Sequence, residues 1–257
     1  MENTSISEKK MIDNKIVASM DEHLYLQHIP YSYTSEQIRK IRTFLFHMPD
    51  GKTPKLLMVT SSIPGEGKSL VSANLAISIA NGEAQNELLV ECDMRKPSLH
   101  KLFNYPMSKG LSEILQGKAQ IEECMLKPPI EKLTIIPAGK EPPSNPSELL
   151  ESKKFTSIIN ELVEKYKDWF IILDTPPVQA TVDPKIISHL ADGIIFVVRH
   201  RYASESDILA SIETLPKDKI IGTVLNAVDI MPITKYAYNK YGYKYGYKYG
   251  YKYGDHY

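Results

Sequence analysis

The chain has little cysteine, no net charge and no long apolar run. Cys92 and Cys124 are the only two cysteines in 257 residues. Their spacing fits neither a disulfide framework nor a zinc site, so we expect two buried thiols. The 31 basic residues equal the 31 acidic ones in number. This balance removes the global positive field typical of nucleic-acid-binding proteins, and we expect no nucleic acid partner.

The apolar runs are also too short for a membrane span, which requires roughly 18 consecutive apolar residues. Residues 1–21 are polar and lack the apolar centre of a signal peptide. We therefore expect a soluble, cytoplasmic protein that reaches the inner face of the cell membrane only through a partner. The length suits one sizeable α/β domain.

The most informative segment runs from Ser62 to Ser69 and reads SIPGEGKS. An apolar run, residues 56–60, precedes it, and a helical pattern follows it. A loop in this position directs backbone N–H groups and a helix N-terminus at one point, as a phosphate-binding P-loop does, although Ser62 replaces the usual first glycine. Lys68 is expected to reach the outer phosphates of a nucleoside triphosphate, and the Ser69 hydroxyl to bind Mg²⁺. The other expected nucleotide contacts are Pro64, Gly65, Glu66, Gly67 and Leu70.

Short apolar runs alternate with helical patterns along the rest of the chain. This alternation predicts an α/β fold of the P-loop NTPase type, with a mostly parallel sheet and helices on both faces. Asn145, followed by Pro146 and Glu148, predicts the start of a helix. The predicted strands are 56–60, 88–91, 133–137, 169–173, 193–198 and 220–225, and the predicted helices are 69–80, 111–116, 147–166 and 204–215.

Three carboxylates belong with the predicted P-loop. Asp174 ends an apolar strand, and Glu91 and Asp93 follow another strand, two residues apart and therefore on one side of an extended chain. Acids in these positions can bind Mg²⁺ or accept a proton from an attacking hydroxyl. Asn226 ends the last strand, where either an adenine contact or a plain strand-end cap is expected.

These motifs together resemble the bacterial tyrosine kinases that control capsule and exopolysaccharide synthesis. Members of that family have a P-loop of the form S-x-P-G-E-G-K-S, an acidic D-x-D-x-R motif and a strand that ends in D-T-P-P. The corresponding segments here are residues 62–69, 91–95 and 174–177. Further matches are residues 143–150 and 197–199. The resemblance covers about residues 35–257 and is closest to the cytoplasmic type, in which the kinase is a separate chain.

The resemblance implies a function and partners. It implies an ATP- and Mg²⁺-dependent protein-tyrosine kinase with Lys68, Asp93, Asp174 and Glu91 as catalytic residues, and with Ser69, Asp93 and Asp174 at the metal. It also implies a transmembrane polysaccharide co-polymerase as activator, a tyrosine phosphatase, and a homo-oligomeric ring such as an octamer. Glu36, Arg39 and Arg42 match the segment that assembles such rings, although an exposed helical face with i,i+3 ion pairs would show the same spacing.

One residue departs from the family pattern. Glu91 stands where the family has aspartate, and the extra methylene displaces the carboxylate by about an ångström, which can cost roughly a hundredfold in rate. Asp93 and Asp174 are therefore the preferred metal-linked acids, and Glu91 is kept as a candidate base. Alternatively, Glu91 indicates a weakened kinase.

The end of the chain is rich in tyrosine and glycine. Residues 232–257 contain no packed apolar pattern, which predicts a flexible tail after a polar extension, residues 1–34, and a kinase domain, residues 35–231. Five lysines and one aspartate make the tail locally basic. Such a segment could stack on nucleic acid bases, but the family resemblance implies autophosphorylation between subunits. The candidate acceptors are Tyr236, Tyr238, Tyr241, Tyr243, Tyr245, Tyr247, Tyr249, Tyr251, Tyr253 and Tyr257.

Three other functions are compatible with parts of this sequence. A MinD/ParA-like ATPase switch shares the expected fold, but its loop has a lysine near the start, where this chain has Ile63 and Pro64. A GTPase usually has N-K-x-D, and residues 226–229 lack the lysine. A binding module with an inactive P-loop is the third alternative, because of Glu91.

Overall fold

The computed structural model describes residues 19–82 and 86–228. Within them, six parallel strands form one sheet in the order β3-β2-β4-β1-β5-β6. The strands are β1 (Leu56–Ser61), β2 (Asn86–Glu91), β3 (Leu133–Ile136), β4 (Trp169–Asp174), β5 (Gly193–Arg199) and β6 (Ile220–Asn226).

Helices connect and flank these strands. They are α1 (Tyr25–His28), α2 (Tyr33–Phe46), α3 (Lys68–Ala80), α4 (Leu99–Leu102), α5 (Leu111–Leu115), α6 (Pro146–Glu151), α7 (Lys153–Lys165), α8 (Asp183–Ser188) and α9 (Glu205–Thr214). Two short 3₁₀ turns cover Glu122–Cys124 and Lys217–Lys219.

The sheet is covered on both faces, as its apolar strands predict. Successive residues of β1 enter different apolar clusters: Leu56 and Met58 belong to one, Leu57 and Val59 to the other. Because side chains alternate across a strand, the two clusters lie on opposite faces of the sheet. The predicted α/β fold of the P-loop NTPase type is confirmed.

Helix α3 begins at Lys68, within the P-loop motif, and is buried along almost its whole length. Its small and aliphatic side chains suit this position between the sheet and other helices. Helix α7 has an apolar stripe on one side, at Phe155, Ile158, Ile159 and Leu162, a spacing typical of a helix with one solvent face.

The single helix predicted for residues 147–166 is wrong, because the chain forms two helices there. Ser152 adopts an extended conformation between α6 and α7, and its side chain accepts a hydrogen bond from the Phe155 N–H. Asn145 does occupy the N-cap position of α6, but its side chain makes no capping hydrogen bond. The local cap at Ser152 outcompetes helix continuation, as serine often does.

Part of the stretch before residue 35 packs into the domain, which its polar composition did not suggest. Met20, Leu24 and Leu26 are buried. The Asn74 side chain of α3 fixes this segment by donating to the His23 carbonyl at 3.0 Å and accepting the Leu26 N–H at 3.4 Å. The proposed division at residues 34 and 231 stays a prediction.

Two further predictions concern the acceptor tyrosines and the absence of a membrane span. The ten tail tyrosines all lie outside them. Across residues 19–82 and 86–228, none of the helices combines the length and apolarity that crossing a bilayer requires.

Candidate functional site

The sheet order brings the predicted site residues together. Strand β4 lies between β2 and β1, and its last residue, Asp174, pairs in register with both Glu91 and Val59. All three strands run in the same direction, so the P-loop after β1 and the acids after β2 and β4 meet at the carboxyl edge of the sheet. This edge is where open α/β sheets bind ligands.

Two glycines give the P-loop its shape. Gly65 and Gly67 have φ values of 90° and 89°, in the left-handed region that favours glycine. A Cβ on Gly67 would lie 2.1 Å from Asn226 Nδ2, and a Cβ on Gly65 would lie 2.7 Å from the Tyr202 hydroxyl oxygen. Both positions therefore exclude a side chain, and the loop backbone remains open toward the cavity.

Glu66 braces the loop from inside. Its side chain is fully buried, and its carboxylate accepts the Ile63 N–H at 2.9 Å and the Arg199 N–H at 3.2 Å. Asn226 Nδ2 donates to the Glu66 carbonyl at 2.9 Å. Because both carboxylate oxygens already accept hydrogen bonds, only the backbone N–H of Glu66 remains for the predicted nucleotide contact. Asn226 contacts the P-loop itself, and its predicted adenine contact stays a prediction.

Arg199 and Tyr202 also stabilise the P-loop, and the sequence did not predict this role. The Arg199 side chain donates to the Gly65 carbonyl at 3.2 Å, and its guanidinium carbon lies 4.8 Å from the centre of the Tyr202 ring. This distance is typical of a cation–π contact. Residues 197–199 matched a family motif, but that match gave no reason to place Arg199 on the P-loop.

Lys68 forms a buried ion pair with Asp93. The ammonium nitrogen lies 3.0 Å from Asp93 Oδ2, and only about a tenth of either side chain is exposed. Lys68 also donates to the Ser69 hydroxyl at 3.2 Å. Burial lowers the pKa of Lys68, but the Asp174 and Asp93 carboxylates offset this, and the net pKa is raised. The lysine therefore stays charged, ready to bind phosphate oxygens.

Asp174 is fully buried beside Ser69. Its Oδ1 accepts a hydrogen bond from Ser72 at 3.1 Å, whereas its Oδ2 has no hydrogen-bond partner among the described residues. Burial raises the pKa of Asp174, and this rise is partly offset by the charge of Lys68. A buried carboxylate oxygen without a partner, next to a P-loop serine, fits a magnesium site.

The residues present fit Mg²⁺ only together with a nucleotide. Among residues 19–82 and 86–228, no group of three histidine, cysteine or acidic side chains could hold a metal ion. Magnesium in nucleotide sites is typically bound by one or two protein oxygens, phosphate oxygens and water. Ser69 and Asp174 supply the protein part of such a set.

Glu91 contacts the backbone of two other segments. Its Oε1 accepts the Ser98 N–H at 2.5 Å and the Leu99 N–H at 2.8 Å, and its Oε2 accepts the Ala138 N–H at 3.2 Å. Burial raises its pKa to about 7, against the lowering effect of these amides. The carboxylate thus holds α4 and the end of β3 to β2, and this geometry favours a structural role over that of a base.

Arg95 belongs to a network with the first turns of α6 and α8. Its guanidinium donates to the Ser147 hydroxyl at 2.7 Å and lies 3.7 Å from Asp183 Oδ2. Ser147 in turn donates to Asp183 Oδ1 at 2.5 Å, and Asp183 is buried. Two motifs that the sequence showed separately, residues 91–95 and 143–150, are therefore connected in the structure.

A cavity of about 650 Å³ opens beside the P-loop. Pro64, Gly65, Gly67, Lys68, Ser69 and Leu70 contribute to its wall, as do Asp93 and parts of segments 95–102 and 176–181. The volume is within the usual range for small-molecule sites.

The three predicted oligomerisation residues lie on α2. Arg39 pairs with Glu36 at 3.1 Å, which is the i,i+3 ion pair considered above. Arg42 donates to the Ser78 carbonyl of α3 at 2.6 Å. Both arginines thus make contacts within one chain, and the role of the three residues in ring assembly stays a prediction.

Comparisons with known proteins agree with this geometry. Residues 55–222 match the family model described as an AAA domain. The chain is 34% identical to the tyrosine-protein kinase YwqD of Bacillus subtilis, over 84% of this chain and 89% of that protein. It is 33% identical to the tyrosine-protein kinase wzc of Salmonella typhimurium, over 84% of this chain but only 30% of that longer protein.

Solved structures show the same relationship. The chimerical protein CapA2B2 superposes with a TM-score of 0.74 at 32% identity, covering 80% of this chain and 90% of that one. The septum site-determining protein MinD from Pyrococcus horikoshii, solved with Mg-ADP, covers 72% of this chain and 76% of that one, with a TM-score of 0.58 at 20% identity, which shows a shared fold alone. The kinase interpretation is thus better supported than the ATPase-switch alternative. The chain belongs to the bacterial tyrosine-protein kinase family.

Proposed function

We propose that this chain transfers the γ-phosphoryl group of ATP to tyrosines in the C-terminal cluster of a second copy of itself. The observation that carries the proposal is the meeting of Lys68, Ser69 and Asp174 around the P-loop, in a kinase-family chain that ends in ten tyrosines within 22 residues. A separate ATPase switch would have no use for that cluster.

The mechanism rests on positioning and charge. Backbone N–H groups of the loop and the Lys68 ammonium bind the outer phosphates and stabilise the charge that develops on them during transfer. Ser69 and Asp174 would hold Mg²⁺, which neutralises phosphate charge when bound. Phosphate oxygens compete with Asp93 for Lys68, so nucleotide binding frees the Asp93 carboxylate.

Asp93 is then placed to act on the acceptor. We assign it either to Mg²⁺, which it would help to hold, or to the proton of the attacking tyrosine hydroxyl, which it would accept, since it lies beside Lys68 and lines the cavity. Glu91, the other candidate base, instead fixes the segment that carries Asp93, because its oxygens accept three backbone N–H groups.

The same proposal covers regulation and location. A transmembrane polysaccharide co-polymerase would activate the chain at the inner face of the cell membrane, a tyrosine phosphatase would reverse the modification, and capsule or exopolysaccharide synthesis would be controlled. The support is the family resemblance and the extra length of the wzc relative, which leaves room for further domains in one chain. Ring assembly through Glu36, Arg39 and Arg42 completes the proposal.

Purified protein incubated with ATP and Mg²⁺, with and without the activator fragment, tests the function. We expect phosphotyrosine in the wild type. The signal should be lost in Lys68→Met, and also in a full-length variant whose ten tail tyrosines are replaced by phenylalanine. Lys140→Met, at an exposed lysine of another surface, is the matched control and should keep the signal. Absence of phosphotyrosine in the wild type under all conditions would refute the proposal.

A further inference from the structure

The P-loop cavity has an excess of basic side chains. Four basic residues line it, Lys68, Arg95, Lys96 and Lys101, against two acidic ones, Asp21 and Asp93. Asp93 is paired with Lys68, and Asp21 accepts hydrogen bonds from His23 at 2.8 Å. Asp21 keeps its negative charge, so the lining has an excess of two basic side chains over acidic ones.

Two of these cations have no ionic partner among the described residues. Arg95 lies against Asp183 and Ser147, but the side chains of Lys96 and Lys101 form no ion pair within residues 19–82 and 86–228. Both are exposed. They lie on the segment that follows β2, whereas the phosphate-binding loop follows β1. We call Lys96 and Lys101 the cavity rim.

The positive charge of the cavity rim disfavours binding of the unmodified tail, which is also positively charged. Residues 235–257 contain five lysines and a single aspartate, so an unmodified acceptor brings positive charge toward a positive rim. Each phosphotyrosine contributes about −1.5 to −2 charges at neutral pH and three acceptor oxygens. A tail with one phosphate therefore has a group that the rim can bind through charge-assisted hydrogen bonds.

The tyrosine spacing places several tyrosines on one side of an extended segment. From Tyr241 to Tyr253, tyrosine occurs at every second position. In an extended bound segment, residues two apart point to the same side and are about 6.8 Å apart. One tyrosine can then approach the phosphates while a phosphorylated neighbour on the same side contacts the rim.

We propose that Lys96 and Lys101 bind phosphotyrosine, so that a tail already modified at one tyrosine is a better acceptor than an unmodified tail. Phosphorylation of the cluster then proceeds in an order, with a slow first transfer and faster later ones. This inference rests on the proposed kinase function and names the preferred form of its substrate.

The test compares two peptides of residues 241–252, one unmodified and one with phosphate on Tyr249. The enzyme is the full-length chain with its tail tyrosines replaced by phenylalanine. We expect kcat/KM for the phosphorylated peptide to be about tenfold higher, which corresponds to about 1.4 kcal/mol. In Lys96→Gln/Lys101→Gln the ratio should fall to about one, and in Lys109→Gln/Lys140→Gln, on another surface, it should remain tenfold.

The possible outcomes separate the two proposals. Equal use of both peptides by the starting enzyme, or an unchanged ratio in the rim variant, overturns the rim inference and leaves the kinase function intact. A rim variant that changes only the KM for ATP also overturns it, because the lysines would then serve the nucleotide. If neither peptide is phosphorylated, the kinase function fails, and fluorescence anisotropy of the labelled peptides still decides whether the rim prefers phosphotyrosine.

Discussion

Glu87 and Glu91 occupy opposite ends of the same strand, and their surroundings differ sharply. Both are fully or almost fully buried. Glu91, at the carboxyl edge of the sheet, accepts three backbone N–H groups. Glu87, at the amino edge, has no hydrogen-bond partner for either oxygen within the described residues, and burial raises its pKa well above the usual range. Burial alone therefore does not define a functional acid.

The comparison extends to the rest of the carboxyl edge. Asp93 pairs with Lys68, and Glu66 braces the P-loop. Asp174 accepts from Ser72 and has one oxygen left for a ligand. The carboxylates at this edge are positioned by neighbouring groups, as a binding site requires. At the amino edge, no described residue donates a hydrogen bond to the Glu87 carboxylate.

The largest effect is expected from Asp174→Asn at the carboxyl edge. A neutral amide is a poor magnesium ligand, so tyrosine phosphorylation should fall at least about a hundredfold, while the Ser72 hydrogen bond can be kept. Initial rates across a Mg²⁺ titration measure this. Glu87→Gln is the matched control and should keep near-normal activity. If both variants lose activity equally, the distinction between the two edges is wrong.

Next in size is Glu91→Met. The substitution keeps the side-chain volume but leaves three backbone N–H groups, two of them buried, without their acceptor. We expect the free energy of unfolding to fall by about 2–4 kcal/mol, measured by urea denaturation. A loss of activity with unchanged stability would instead indicate that Glu91 acts as a base.

A pH series isolates the charge of Glu91. Its pKa is about 7 in the folded protein, against an ordinary value of 4.5. The folded state therefore binds more protons between these values, and stability should fall as pH rises through this window. The fall is at most about 1.4 kcal/mol per pH unit. Relative to Glu91→Gln, the wild type should lose this contribution between pH 4.5 and 7 and change little above pH 7. Parallel curves for the two proteins would contradict this assignment.

The smallest effect is expected from Glu87→Met, and it has the opposite sign. Removing a buried carboxyl group without partners should raise the free energy of unfolding by about 1–2 kcal/mol. The same denaturation experiment as for Glu91→Met measures it. A destabilisation of similar size to that of Glu91→Met would mean that Glu87 has a stabilising role as well.

The sequence predicted the sheet and its edge because both depend on local patterns. Apolar runs located all six strands, and the acids at their ends identified the carboxyl edge. The roles of Glu91 and Arg42 could not be predicted, because their partners Ala138 and Ser78 are 47 and 36 residues away. The helix break at Ser152 was missed for another reason: the apolar stripe of α7 hid a local capping signal.

Transfer between two copies is the central claim, and a mixing experiment tests it most directly. Full-length Lys68→Met, which has acceptors but no working P-loop, is combined with the full-length chain whose tail tyrosines are phenylalanine, in ATP, Mg²⁺ and activator fragment. We predict that mass spectrometry will find phosphotyrosine between Tyr236 and Tyr257 of the Lys68→Met chain. If that chain remains unmodified while the wild type alone becomes phosphorylated, transfer occurs within one chain and the account is contradicted.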